Sequence, residues 1–148
     1  MNKNKIGIIG LGYVGSAIKK LFPEALGYDP IKTGDTREQI ANECELVIVC
    51  VPTEMKDDGS ANIAILTNTF NWLREYKYGG DILIKSTIPP GTTDRLNRQY
   101  SREACFSPEY IGEGNYYVAP WQYPHPTDIE HHTFMTIGGP EDARKRIL

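Results

Sequence analysis

The stretch KIGIIGLGYVG at positions 5–15 limits what this chain can fold into more than any other feature. Ile6, Ile8 and Ile9 form a branched apolar run of the kind buried in a parallel strand, and Gly10, Gly12 and Gly15 follow in the spacing G-x-G-x-x-G. Each glycine meets a separate demand. The first permits a tight turn after the strand, the second lets the backbone approach a pyrophosphate, and the third lets the next helix pack close to the strand. That helix would turn free N–H groups and the positive end of its dipole towards the phosphates.

A glycine pattern alone is weak evidence, and its surroundings decide. Val14, Ala17, Ile18, Leu21 and Phe22 recur at helical spacing before Pro23. A second strand, predicted over 25–28, ends at Asp29, where a dinucleotide fold places the acid that accepts both hydroxyls of the adenosine ribose. A carboxylate there repels a 2′-phosphate, so the expected cofactor is NAD and not NADP.

Composition narrows the class. A chain of 148 residues has the size of one domain and can bury a full core. Its net charge of -3, with no basic cluster, argues against nucleic acid as a partner. The apolar runs are strand-sized, so no membrane span is expected, and the start MNKNK lacks the apolar core of a signal peptide. Cys44, Cys50 and Cys105 contain no C-x-x-C pair, which fits a reducing compartment. Together these features read as a cytoplasmic protein. His125, His131 and His132 lack the spacing of a metal site, so no metal is expected.

Further along, Thr36 and Gln39 form a capping-box pattern opening a short helix to Glu43. Lys32, near Asp29, is either a contact for the adenosine end of the cofactor or a solvated loop lysine. The run LVIVCV at 46–51 is a third strand buried on both faces, with Cys50 a core residue, and EMKDDGS at 54–60 reads as a mobile loop. From Asn62 a long helix places Ile63, Leu66, Phe70 and Leu73 on one face and Ile65, Thr69, Trp72 and Tyr76 beside it, ending at Gly79-Gly80. DILIK at 81–85 is a fourth strand, and Pro89-Pro90 forces a turn at the carboxyl edge where open α/β sheets bind ligands. A helix over 92–100 leads to a fifth strand at 104–106, which delivers Glu109 and Glu113 to the same edge. An irregular aromatic excursion occupies 115–132 and includes Tyr116, Tyr117, Trp121 and Tyr123. The last expected strand is 133–137, with Pro140 at a helix start. The expectation is a single α/β domain, a doubly wound Rossmann fold with a mostly parallel six-stranded sheet.

Taken together, GLGYVG at 10–15, Asp29, VPT at 51–53, KSTIPPGTT at 85–93, SPEYIGEG at 107–114 and IGG at 137–139 resemble the amino-terminal domain of the UDP-glucose/GDP-mannose 6-dehydrogenases. The proline-rich turn and the SPE segment are more specific than the glycine fingerprint. The resemblance implies an NAD-dependent, four-electron oxidation of a nucleotide sugar from the C6 alcohol to the acid, through a thiol-bound aldehyde. It implies that Gly10, Gly12, Tyr13, Val14, Gly15, Asp29, Lys32, Pro52, Thr53, Ser86 and Thr87 lie along the cofactor. It further implies that Thr87 lies beside the nicotinamide and a catalytic water, that Glu113 assists thioester hydrolysis as a base, and that Glu109 lies at the same centre.

Two features depart from the family. Gly112 stands where the SPE motif usually carries arginine, and the family's nucleophilic cysteine, oxyanion-stabilising lysine, central helix and carboxyl-terminal substrate domain have no counterpart in the sequence. The expectation is therefore a chain that binds NAD without full turnover, acting on a nucleotide sugar only with a missing domain or partner chain. A stand-alone NAD- or nucleotide-binding module working through a protein partner is the alternative. A different dehydrogenase class, such as the 3-hydroxyacid type, is disfavoured by the KSTIPPG and SPE segments.

Overall fold

The computed structural model describes residues 5–111, 129 and 135–148. Its sheet is built from β1 (Ile6–Ile9), β2 (Leu26–Tyr28), β3 (Leu46–Val49), β4 (Asp81–Ile84) and β5 (Cys105–Phe106), all parallel in the order β2-β1-β3-β4-β5. Among the described residues five helices connect and flank these strands: α1 (Tyr13–Leu21), α2 (Arg37–Glu43), α3 (Ala64–Glu75), α4 (Thr92–Tyr100) and α5 (Glu141–Ile147). Because β1 feeds β2 on one side and β3 feeds β4 on the other, the winding reverses between β1 and β3. Their carboxyl ends therefore flank a crevice, the position at which such sheets take ligands.

Side-chain alternation explains the two covered faces. Ile9, Val47, Val49, Ile82 and Ile84 point into one cluster with Ile40 of α2, Leu66, Phe70 and Leu73 of α3, and Leu96 of α4. The intervening Ile8 and Ile48 meet Ile18 of α1 on the opposite face, and Leu83 with Cys105 meets Ala143 of α5. Strand side chains alternate with a period of two, so branched residues at consecutive positions serve both layers at once. The second stripe expected on α3 is only half buried. Thr69 and Trp72 are buried, whereas Ile65 and Tyr76 are 48% and 41% exposed, since one sheet face covers a limited arc of a helix.

Three expectations about elements are corrected. Among the described residues the sheet has five strands and not six. Of the expected last strand, Met135 to Ile137 are described and form no ladder; the chain meets β5 at one antiparallel bridge, Phe106 with Gly138. Gly139 then turns away at φ 137, and Pro140 has no N–H to extend a pairing. Second, α3 stops before the double glycine. Lys77 adopts φ 54, and Tyr78 N donates to the Leu73 carbonyl, closing the helix on its own backbone. Third, the loop expected at 54–60 is a tight hairpin, with Met55 paired to Ala61 and backbone bonds from Lys56 N to Ser60 O and from Asn62 N to Glu54 O. The aromatic excursion at 115–132 lies outside the described residues except Ile129, which packs against the Ile8 and Ile18 cluster.

The capping box is present as the sequence predicts. Gln39 N donates to Thr36 Oγ1 at 3.2 Å, and Thr36 N donates to Gln39 Oε1 at 2.8 Å. Replacing Thr36 with Ala is expected to cost about 1 kcal/mol of stability, measured as a lower urea midpoint at unchanged slope.

Candidate functional site

The site begins where β1 runs out. Gly10 takes φ 90, and a Cβ built on it would lie 2.6 Å from the Cys50 carbonyl oxygen, so the turn between β1 and β3 has no room for a side chain. At Gly15 the restriction is tighter still. A Cβ there would fall 1.8 Å from the carbonyl oxygen of Gly10, which brings the first turn of α1 against the strand end. Gly12 behaves differently: it precedes α1, and a Cβ on it would meet nothing within 4 Å. Its glycine is therefore not required by the protein's own packing, and the bare backbone at the crest leaves room that a ligand can use. No side chain caps α1 and its first turn carries no acid, so the helix end keeps its positive polarity. Tyr13 projects outward, 61% exposed, and Val14 is partly buried beside the cluster of Ile8 and Ile18.

Asp29 is carried to this crest by β2. Its Oδ2 accepts from Leu11 N at 2.8 Å, and its Oδ1 accepts from Ile31 N at 2.9 Å and Lys32 N at 3.2 Å. Partial burial alone would raise the carboxyl. The backbone donors of Leu11, Ile31 and Lys32, with the Lys32 charge, outweigh that and hold it below the ordinary aspartate value. The group is thus an anion at neutral pH, fixed by main-chain donors and with acceptor lone pairs to spare. Lys32 extends its ammonium onto the Leu11 carbonyl, which settles its position beside the turn.

Across the crevice the ends of β3 and β4 are joined. Thr53 Oγ1 donates to the Thr87 carbonyl at 2.6 Å. Ser86 is buried and lies against Val49, with its N 3.2 Å and its Oγ 3.4 Å from that carbonyl. Pro52 and Thr87 stay exposed at the rim. The expected cofactor residues from Gly10 to Thr87 therefore share the carboxyl edge of β1, β2, β3 and β4. Glu109 follows β5 and is more enclosed than a reacting carboxylate would suggest: its side chain is 8% exposed and paired with Lys85, whose side chain is 10% exposed, at 3.1 Å. Glu113 lies outside the described residues, as do His125, His131 and His132.

Lys85 and Ser107, which stand in the KSTIPPGTT and SPEYIGEG motifs but were assigned no role there, meet at 3.2 Å beside Glu109. Lys85 directly follows the apolar Ile82–Ile84 of β4, and a lysine carried into a buried edge requires a partner; that was the available signal. Among the described residues no cluster of three His, Cys, Asp or Glu could hold a metal ion. Burial pushes the Cys50 thiol up to about 12 and the Cys44 thiol up to about 11, and it raises Cys105 as well. The three thiols are accordingly protonated at neutral pH and poor nucleophiles. A hollow of about 1300 Å³ opens at the opposite, amino ends of the strands. Of its cations, Lys5 is paired with Glu43 at 2.7 Å, Arg146 with Asp81 at 2.8 Å, and Arg102 is held by the backbone carbonyls of Tyr78 and Gly80.

Comparison with known proteins places this geometry. Residues 21–120 match the sequence profile described as UDP-glucose/GDP-mannose dehydrogenase family, NAD binding domain. The chain is 25% identical to a putative UDP-glucose 6-dehydrogenase of Bacillus subtilis, YtcA, over 75% of its own length and 36% of the relative's. It is 32% identical to a UDP-N-acetyl-D-mannosamine dehydrogenase of Methanocaldococcus jannaschii over 49% of its own length and 18% of the relative's. Its fold matches a UDP-glucose dehydrogenase from the hyperthermophilic archaeon Pyrobaculum islandicum at a TM-score of 0.73, with 18% identity, covering 99% of this chain and 43% of that one. The chain thus spans less than half the length of these relatives. The profile match begins after the glycine turn and takes in Asp29, the threonine turn and the SPE segment.

The two helix-end glycines separate folding from ligand binding. Gly15→Ala is expected to cost more than about 3 kcal/mol, because its methyl would overlap a backbone carbonyl. Gly12→Ala is expected to change stability by no more than about 1 kcal/mol while weakening dinucleotide binding, read by urea denaturation and calorimetry on the same samples.

Proposed function

The chain belongs to the UDP-glucose/GDP-mannose dehydrogenase family as its NAD binding domain, and from that premise we propose that it forms the cofactor half of a nucleotide-sugar 6-dehydrogenase. NAD is the cofactor. One observation carries the placement: the bare crest at Gly12 stands beside an ionised Asp29 fixed by three backbone donors.

In this reading the backbone of Gly10, Gly12, Tyr13, Val14 and Gly15 cradles the pyrophosphate at the start of α1. Asp29 accepts the two hydroxyls of the adenosine ribose, and Lys32, released from the Leu11 carbonyl, adds positive charge beside them. The winding then directs the second nucleoside across Pro52 and Thr53 towards Ser86 and Thr87. NAD bound there supplies the hydride acceptor for oxidation of an alcohol. Thr53, by donating to the Thr87 carbonyl, holds the rim against which the nicotinamide would rest. Thr87 at the rim positions water, Glu113 supplies a carboxylate from the segment after β5, and Glu109 stands behind the same centre in its ion pair with Lys85.

Oxidation to the acid by way of a bound aldehyde needs a thiolate nucleophile. The high pKa of Cys44 and Cys50 leaves this chain without one, so the sugar site and nucleophile belong to a further domain or partner chain. The same observation favours a second reading, a non-catalytic NAD module working through a protein partner. Free thiols and a dinucleotide cofactor suit a reducing cytoplasm. Among the described residues no helix is long and apolar enough to cross a membrane.

Calorimetric titration tests the reading. The chain is expected to bind NAD, Asp29→Ala to weaken it by more than about tenfold, and UDP-glucose with NAD to give no steady NADH formation. Unchanged affinity in Asp29→Ala would remove that residue from the site, and steady turnover by the chain alone would refute the half-site assignment.

A further inference from the structure

The carboxyl ends of β4 and β5 are joined by a buried charge that the cofactor reading does not use. Lys85 Nζ lies 3.2 Å from Ser107 Oγ, 3.2 Å from the Pro108 carbonyl and 3.1 Å from Glu109 Oε2. Ser107 is fully buried. Glu109 Oε1 accepts from Tyr110 N at 2.8 Å and Ile111 N at 3.0 Å, which folds the chain after β5 around its own carboxylate. Oε2 is inaccessible and receives no directed hydrogen bond among the described residues, so the ammonium charge is what compensates it.

The position of this pair matters as much as its burial. Lys85 immediately precedes Ser86 and Thr87, and the Thr87 carbonyl is the acceptor for Thr53. A dinucleotide with its adenosine ribose at Asp29 and its phosphates at the β1 turn must extend its far end over β3 and β4, because the strand order is β2-β1-β3-β4-β5. The ammonium thus sits directly behind the rim that meets only the last part of the ligand.

We infer that Lys85 is a positioning residue for the nicotinamide end of the site: by tying β4 to the Ser107–Glu109 turn it fixes the Ser86–Thr87 rim, while the adenosine and phosphate contacts stand without it. This rests on the dinucleotide reading above. It is a claim about geometry held by a partner behind the contact surface, the arrangement that keeps binding groups within a few tenths of an ångström of their working positions.

The test compares NAD with ADP-ribose, which lacks the nicotinamide, by calorimetry on the 148-residue chain. Lys85→Met is expected to weaken NAD by about tenfold and ADP-ribose by less than about twofold, while Lys85→Arg, which keeps charge and donors, retains NAD binding. A purely structural role would move the two ligands together, and equal loss of both, or no loss of either, overturns the inference. If the lone carboxylate prevents Lys85→Met from folding, Lys85→Met with Glu109→Gln removes the unpaired charge. That double variant is expected to regain its melting temperature and still discriminate between the ligands, and normal NAD affinity in it overturns the inference. Failure of the unaltered chain to bind ADP-ribose would instead overturn the dinucleotide site itself, and the role of Lys85 with it.

Discussion

The carbonyl oxygen of Gly10 occupies the space that any side chain at Gly15 would need, and much of this molecule follows from that contact. It draws the first turn of α1 onto the end of β1, closer than two ordinary residues allow. It also leaves the backbone at Gly12 as the outermost point of the turn, with nothing of the protein above it. From there Leu11 N reaches the Asp29 carboxylate, so the glycine turn and the acid are fixed relative to one another by one hydrogen bond. A dipole end, a bare crest and a fixed anion lie within a few residues of sequence and strand pairing, which is what a dinucleotide requires of a protein.

Side chains and close backbone contacts continue that order along the whole carboxyl edge. Asp29 joins β2 to the β1 turn, Gly10 seats against the Cys50 carbonyl at the end of β3, Thr53 reaches the Thr87 carbonyl beyond β4, and Lys85 joins β4 to the segment after β5. Each pair of neighbouring strands is thus tied at its carboxyl end. The amino ends have ion pairs of a different kind, such as Lys5 with Glu43, whose side chains are 46% and 41% exposed. Exposed pairs of that type contribute little, about 1 kcal/mol or less, whereas buried ties set geometry and are costly to break singly.

How much of this the sequence could tell depended on whether a feature was local. The glycine turn, the capping box at Thr36 and Gln39, and the alternating branched residues of β1, β3 and β4 are decided within a few residues, and each was legible. Asp29 was legible because strand length fixes where the acid arrives. The lack of a ladder at Met135 to Ile137, the described part of the expected sixth strand, was not, since Gly138 and Gly139 permit both a strand end and a single bridge, and only contact with β5 chooses. The end of α3 was misplaced because Lys77 accepts a left-handed conformation that pattern reasoning assigns to glycine. The partnership of Lys85 with Glu109 joins residues far apart in sequence, so the motif letters were visible but their burial was not.

Nothing in this arrangement supplies a reactive thiol: burial holds Cys44 and Cys50 protonated, and the carboxylate of Glu109 adds to that at Cys50. Binding and orienting NAD is the part of the proposed function that this chain's own residues can carry. A crystal structure of the chain with NAD tests that most directly. The account predicts the pyrophosphate over Gly12, both hydroxyls of the adenosine ribose on Asp29, and the nicotinamide at the rim of Ser86 and Thr87. Density for the dinucleotide in the hollow at the amino ends of the strands, or with its adenosine ribose away from Asp29, would contradict it.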